Sequence, residues 1–125
     1  MKPSTAKAKG RETENIFVRW MKTRWGKTVE RRRLTGAQDQ GDITGWNNVC
    51  VEIKSGASID LPGWLKQLED EKINSHSEYG FVAVRPKGKP DPEEWYAVVA
   101  LPDMMNLLMD LELLRPDSDM IRPYP

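Results

Sequence analysis

The sequence predicts an α/β domain in which a mixed β-sheet is flanked by helices. A helix-type spacing of apolar residues near the N-terminus gives way to several short, strand-like stretches. Two later segments return to the helical pattern, which gives the element order α-β-β-β-α-β-β-α and a three-layer arrangement. A length of 125 residues fits a single domain of this kind.

The first half of the chain is expected to contain one helix and three strands. Apolar residues recur every three or four positions over residues 10–25, which predicts a helix that ends at Gly26. Strand patterns cover residues 27–34, 42–46 and 49–54. Asn47-Asn48 predicts a tight turn that pairs the last two strands as a hairpin, in which Asp42 lies near Ile53.

The second half is expected to contain two helices and two strands. Asp60 is a suitable N-cap for a helix that has Pro62 in its first turn and ends near residue 74. Strands are predicted at residues 79–85 and 94–101, and a Met- and Leu-rich helix at residues 103–114. We expect one stripe of this last helix to face the core. Further apolar side chains lie off that stripe and are available for a dimer contact.

Composition excludes several classes of protein. The chain has one cysteine, Cys50, and one histidine, His76, so it has neither an internal disulfide nor a Cys/His zinc site. Apolar runs fall short of the roughly 20 residues that a membrane helix needs. We expect a flexible basic arm at residues 1–9, a domain at residues 10–114 and a tail at residues 115–125.

The zero net charge hides a strong asymmetry along the chain. Residues 1–35 hold eleven basic and three acidic side chains, a net charge of +8, and the remainder carries −8. A segment this basic suits binding to a phosphate backbone. A lysine-rich arm followed by a solvated helix face would give the same charge. The run from Arg31 to Arg33 stands apart from the arm, on a predicted strand, and favours the first interpretation.

Two carboxylates and an ammonium are expected to meet on one side of the predicted hairpin. Side chains alternate along a strand, so Glu52 and Lys54 share a face, and Asp42 approaches them from the neighbouring strand. Two carboxylates placed together repel unless a cation lies between them, and oxygen ligands favour Mg²⁺ or Mn²⁺. Taken singly, Glu52 and Lys54 are ordinary on a wet strand face, and Asp42 is ordinary in a turn.

Glu14 is a third carboxylate that is expected to face the sheet. It lies at the edge of the apolar stripe of the first helix, where an unpaired carboxylate is costly. The alternative for Glu14 is a first-turn helix acid that the helix dipole stabilises.

Together, these residues resemble a known nuclease pattern. Asp42, then Glu52-Ile53-Lys54, preceded by a helix with Glu14, resembles the PD-(D/E)xK nuclease superfamily. Residues 9–14 are similar to the Lys-Gly-x-x-x-Glu opening of archaeal-type Holliday junction resolvases. The set also resembles small resolvase-like proteins of actinobacterial phages, and the resemblance spans about residues 9–85. Gly41 stands where a proline often precedes the aspartate in this family.

The resemblance implies a restriction-endonuclease-like fold and a role for each matching residue. The catalytic set would be Glu14, Asp42, Glu52, Lys54 and the supporting Gln67. Asp42, Glu52 and the Ile53 carbonyl would bind Mg²⁺, with Mn²⁺ as a possible substitute. Residues expected to contact DNA are Lys9, Arg11, Arg31, Arg32, Arg33 and Thr35.

The implied activity is endonucleolytic hydrolysis of DNA, with four-way (Holliday) junctions or related branched DNA as the substrate. A C₂ homodimer is the natural form, because the two strands of a junction are cut symmetrically. Two alternatives stay open: a non-catalytic nucleic-acid-binding module, and a nuclease of the same fold that cuts flap or duplex DNA. The N-terminus lacks the apolar stretch of a secretion signal, so we expect a cytoplasmic protein, in the bacterial host if a phage encodes it.

Overall fold

The computed structural model describes residues 6–33, 39–56 and 58–114. The elements of these ranges are α1 (Ala6–Trp25), β1 (Glu30–Arg31), β2 (Ile43–Thr44), β3 (Val49–Ser55), α2 (Leu61–Asn74), β4 (Tyr79–Arg85), β5 (Tyr96–Val98) and α3 (Leu101–Leu114). A short 3₁₀-helix, Pro92–Glu94, precedes β5. The predicted order of helices and strands is confirmed over the described residues, which form a mixed α/β structure.

Helix α1 begins four residues earlier than predicted, at Ala6, so residues 6–9 are helical. Its buried side chains are Thr13, Phe17, Val18 and Met21, which share one helix face because Thr13, Phe17 and Met21 recur every four positions and Val18 adjoins Phe17. Gly26 ends the helix in the left-handed conformation, with φ of 63°. The early start also means that Glu14 lies beyond the first turn, so the expectation of a first-turn acid is wrong.

The central sheet has three strands and is mixed. Strand β3 runs parallel to β4, with Glu52 opposite Val82, and β5 runs antiparallel to β4, with Ala97 opposite Ala83. Helix α2 provides the crossover that a parallel pair requires. Asp60 caps this helix as expected, because its carboxylate accepts a hydrogen bond from the Gly63 N–H.

The predicted hairpin between residues 42–46 and 49–54 is wrong as a strand ladder. Strand β2 pairs instead with β1, with Ile43 opposite Arg31, and the two form a separate antiparallel pair. The reason lies at Asp42, whose side chain rather than its backbone carbonyl accepts the N–H of Ile53. The Asp42 carbonyl accepts the Arg32 N–H instead, so the regular exchange of backbone hydrogen bonds with β3 is interrupted at this residue. The contact between Asp42 and Ile53 that the hairpin predicted nevertheless forms.

Helices α1 and α2 pack on opposite faces of the sheet. Val51 and Ile53 pack with Phe17 on the α1 side, whereas Cys50 packs with Leu68 on the α2 side. The alternation of β3 therefore sends Glu52 and Lys54 toward α2. Each fully buried aliphatic side chain contributes roughly 1.5–3 kcal/mol, so Val51 and Ile53 anchor the strand that carries the site.

A cavity of about 470 Å³ lies on the α1 side of the sheet. Aromatic side chains dominate its lining, among them Phe17, Trp20, Trp46, Phe81 and Trp95. Glu52 and Lys54 point to the other face, so this cavity is separate from the carboxylates.

Helix α3 fully buries none of its side chains, so the prediction that a whole stripe of it belongs to the core is wrong. Met104 and Leu107 of that stripe are half-buried beside Tyr79 and Gly80. Polar contacts attach the helix to α2 and to β4: Lys72 Nζ lies 3.5 Å from Asp103 Oδ2, and the Tyr79 hydroxyl donates to Asp110 Oδ2. Its exposed apolar side chains are Leu101, Met105, Leu108, Met109, Leu111, Leu113 and Leu114. Across the described residues, every helix is too short or too polar to cross a membrane.

Candidate active site

Asp42 is fixed against β3 by its own backbone and side chain. Its N–H donates to the Val51 carbonyl at 2.9 Å, and its Oδ2 accepts from the Ile53 N–H at 2.7 Å. On its other side, the Asp42 carbonyl accepts from the Arg32 N–H at 2.8 Å. These bonds hold the carboxylate beside the strand that carries Glu52 and Lys54.

Gly41 allows this close approach. Its φ is 95°, and a Cβ at this position would lie 2.8 Å from Cys50 Sγ and 3.1 Å from the Val51 carbonyl oxygen. Proline, with φ fixed near −65°, cannot adopt this conformation. The glycine that departs from the resembled pattern is therefore required by the path of this chain.

Glu52, Lys54 and Gln67 form a connected group on the α2 side of the sheet. Lys54 Nζ lies 3.5 Å from Glu52 Oε2 and donates to Gln67 Oε1 at 2.9 Å. Glu52 is 2% exposed, whereas a quarter of the Lys54 side chain is open to solvent. Gln67 therefore positions the ammonium at the edge of the buried carboxylate.

Two further acids join this group. Gln67 Nε2 donates to Glu71 Oε2 at 3.2 Å and faces Asp39 Oδ2 at 3.4 Å. Glu71 lies one helical turn after Gln67 and is only 1% exposed. Asp39 is held by the Gly41 N–H, which donates to its Oδ1, and by Asn74, whose amide donates to its carbonyl.

Burial and crowding favour protonated carboxyls in this group. Burial, with the nearby carboxyls of Asp42 and Glu71, raises the pKa of Glu52 well above its ordinary value. Burial and the Asp39 carboxylate likewise raise the pKa of Glu71, while the bond from Glu71 lowers the pKa of Asp39. A positive ion among these oxygens would reverse this balance, since it stabilises the ionised form.

Glu14 reaches the same region from α1. Burial and the negative charge of Asp42 raise the pKa of Glu14 to about 7, against the opposing effects of Arg31 and Arg11. Its Oε1 lies 3.3 Å from Arg31 Nε. Glu14 therefore lies on the α1 side, close enough for the charge of Asp42 to act on it, whereas Glu52 faces α2.

The candidate DNA-binding residues differ in their surroundings. Lys9, Arg11 and Arg33 are exposed. Arg32 donates to Gln40 Oε1 and to the Ile43 carbonyl, so it stabilises the β1–β2 pair. Its Nε is buried and has no hydrogen-bond partner. Thr35 lies outside the described residues.

The structure thus brings Asp42, Glu52, Lys54 and Gln67 together, whereas Glu14 contacts Arg31 on the α1 side of Asp42. It joins Ile53 to Asp42 through the Ile53 N–H; the role of the Ile53 carbonyl stays a prediction. Sequence reasoning missed Asp39 and Glu71. The four-residue spacing from Gln67 to Glu71 was the available signal for Glu71, because it places both side chains on one helix face.

Comparisons of the chain with protein-family models, with curated proteins and with solved structures gave no match. The resemblance described above therefore rests on the motifs of this chain and on the geometry of its own residues.

Proposed function

We propose that this protein is a metal-dependent DNA endonuclease with a restriction-endonuclease-like core. The observation that carries the proposal is the convergence of Asp42, Glu52 and Lys54 from two separate segments. A carboxylate buried on a core strand with an ammonium 3.5 Å away is a costly arrangement. It suits a site that binds a divalent cation and hydrolyses a phosphodiester. The mixed sheet between two helices is compatible with the fold that the motif implies.

The donor set fits a divalent cation. Glu52 Oε1 is buried and has no hydrogen-bond partner, although buried carboxylate oxygens are normally satisfied. Asp42, Glu52 and the Ile53 carbonyl would hold Mg²⁺ or Mn²⁺, which both favour oxygen ligands. Such an ion, when bound, acts as a Lewis acid on a phosphate oxygen and lowers the pKa of a ligated water.

Three residues of the chain would act on the substrate or its water. Lys54 directs a positive charge at the reacting phosphate and offsets the negative charge that develops there. Gln67 keeps Lys54 in place through the 2.9 Å hydrogen bond. Glu14, on the α1 side of Asp42, would help to hold the ion or the attacking water.

Exposed cations beside the site would bind the DNA backbone. Lys9, Arg11 and Arg33 are open to solvent, and Arg11 and Arg31 both act on the pKa of Glu14. Phosphate contacts of this kind provide affinity without sequence preference. Arg32 and Thr35 complete the proposed DNA-binding set, Arg32 by bracing the strand pair.

Branched DNA, and a four-way junction above all, is the substrate that we propose. Two symmetric cuts call for two active sites, and a C₂ homodimer provides them. Over the described residues, the exposed apolar side chains of α3 form the surface that we assign to the second copy. Sedimentation of wild type and of a Met105→Lys, Leu108→Lys variant tests this assignment, which predicts a dimer and a monomer respectively. A cytoplasmic location belongs to the same proposal.

The test is cleavage of labelled four-way junction, flap and linear duplex by the purified protein. Each substrate is incubated with Mg²⁺, with Mn²⁺ and with EDTA, for wild type and for Lys54→Ala. Paired symmetric nicks in the junction that disappear with EDTA and with the variant are expected. Cleavage of flap or duplex alone would show that the substrate is that DNA and not a four-way junction. Junction binding without cutting in either metal would favour the non-catalytic binding module.

A further inference from the structure

Three acids form a compact group next to Asp42. Asp39, Glu52 and Glu71 can each present a carboxylate oxygen such that all three atoms lie within 4.8 Å of one another. They come from the segment before β2, from β3 and from α2, so the tertiary fold assembles them. The motif resemblance includes only Glu52 of the three.

The second observation is that two of these acids are buried with an unused oxygen. Glu52 and Glu71 are 2% and 1% exposed, and Oε1 of each has no hydrogen-bond partner. An unsatisfied buried polar atom is costly, and more so when it belongs to a carboxylate. Two such oxygens in one group therefore point to a positively charged ligand.

The surrounding hydrogen bonds hold the group in position from one side. Gln67 Nε2 donates hydrogen bonds to Glu71 Oε2 and to Asp39 Oδ2. Glu71 Oε1 has no hydrogen-bond partner. The Gly41 N–H holds Asp39 Oδ1 at 3.0 Å. Outer hydrogen bonds of this kind orient metal ligands in proteins. Lys54 is the one cation paired with Glu52 among the described contacts, so three carboxylates outnumber it.

We propose that Asp39, Glu52 and Glu71 bind a divalent cation of the Mg²⁺ and Mn²⁺ class. This position shares Glu52 with the ion on Asp42 but has its own ligands in Asp39 and Glu71. All the ligands are oxygens, as hard divalent ions prefer. Asp39 is exposed, so the ion has a route from solvent to the two buried carboxylates. Its part in DNA cleavage rests on the proposed function; its binding does not.

Electron paramagnetic resonance of Mn²⁺ tests the site, because bound ions lose the sharp signal of free Mn²⁺. The metal-free full chain is titrated at one pH as wild type, Asp39→Asn, Glu71→Gln, Asp42→Asn and Asp70→Asn. Asp70 is an exposed acid on α2 next to Glu71 in sequence and is the matched control. Circular dichroism checks that each variant is folded.

Wild type and Asp70→Asn are expected to bind two ions per chain. Asp39→Asn and Glu71→Gln are expected to weaken one of the two ions by at least about 10- to 100-fold, since this is the cost of losing only an outer hydrogen-bond partner of a ligand. Asp42→Asn should weaken the other ion and retain this one. Wild-type affinity in both Asp39→Asn and Glu71→Gln would overturn the proposal, as would loss of the same single ion in Asp42→Asn and Glu71→Gln. The expected binding pattern in a protein that cuts no DNA would retain this site and refute the proposed function.

Discussion

The Asp42 carboxylate accepts the backbone N–H of Ile53 at 2.7 Å, and this bond joins the loop before β2 to the strand that carries Glu52. The side chain takes the place that a backbone carbonyl would occupy in a regular hairpin. As a result, the backbone ladder stops here and a carboxylate is fixed beside Glu52 and Lys54. The geometry of the proposed site depends on this hydrogen bond to the Asp42 side chain.

Gly41→Ala should displace Asp42. A Cβ at Gly41 would meet Cys50 Sγ and the Val51 carbonyl, and φ of 95° is unfavourable for alanine by about 1–2 kcal/mol. We expect lower stability in urea unfolding and a large loss of DNA cleavage. Gly10→Ala is the control, since Gly10 is helical with open space around it and alanine there should stabilise by about 0.5–1 kcal/mol. Unchanged stability and cleavage in Gly41→Ala would refute this role for the glycine.

Gln67→Leu should slow cleavage without weakening DNA binding. The variant keeps the approximate size of the side chain and removes both the acceptor that holds Lys54 Nζ at 2.9 Å and the donor to Glu71 Oε2 at 3.2 Å. We expect a loss of about 10- to 100-fold in the cleavage rate, as for other residues that orient a reactive group. Lys54→Met should lose about 10²- to 10³-fold, the usual cost of removing a group that stabilises developing charge. Single-turnover rates measure the loss of cleavage in each variant, and gel shifts measure its affinity for DNA. Equal losses of rate and affinity would contradict a role of Gln67 and Lys54 in the cleavage step.

Arg33 and Arg32 should respond differently to alanine substitution. Arg33 is exposed, so Arg33→Ala should weaken binding to every DNA structure and reduce the salt slope by about 0.9, with no change in stability. Arg32 makes two hydrogen bonds within the protein, so Arg32→Ala should destabilise by about 2 kcal/mol. Lys87→Ala, on an exposed turn, is the charge-matched control. Salt titrations of binding and urea unfolding decide, and an unchanged salt slope for Arg33→Ala would exclude a phosphate contact.

The bond from Tyr79 to Asp110 should make the docking of α3 dependent on pH. The hydrogen bond that the Tyr79 hydroxyl donates to Asp110 raises the pKa of Tyr79 to about 12 from an ordinary value of 10.0. A group with a raised pKa stabilises the folded state while it is protonated, so this contribution is full below pH 10 and is lost as the pH rises through about 12. The stability difference between wild type and Tyr79→Phe should therefore shrink above pH 10. Tyr96→Phe, at an exposed tyrosine, is the control, and a difference that does not vary with pH would contradict the bond.

Local patterns in the sequence predicted the element order well, but they could not predict contacts that depend on tertiary packing. Alternation along residues 49–54 correctly placed Glu52 and Lys54 on one face, because the period of a strand is a local property. The pairing of β2 with β1 depended on the path of Gly41 and the side chain of Asp42. The core role expected for α3 holds only in part, with Met104 and Leu107 half-buried, because a helix with many apolar residues does not itself specify how much of a face packs.

Site residues that lie close together in sequence were predictable, and those joined only by tertiary packing were not. Asp42 and Glu52 lie close to each other in sequence and in space, so a hairpin argument was enough to join them. Glu71 joins them only because α2 crosses the sheet with its Gln67 face toward β3. Asp39 precedes β2 and depends on Asn74 of the same helix for its position.

Cleavage of a four-way junction by wild type and Glu52→Gln, measured beside junction affinity, tests the central claim most directly. Glutamine preserves the shape of the side chain and removes the charge that would hold the ion, and Glu112→Gln on exposed α3 is the control. The account predicts Mg²⁺-dependent cutting by wild type and Glu112→Gln, and no cutting by Glu52→Gln with its affinity for the junction unchanged or higher. Mg²⁺-dependent cutting that persists in Glu52→Gln would contradict the account.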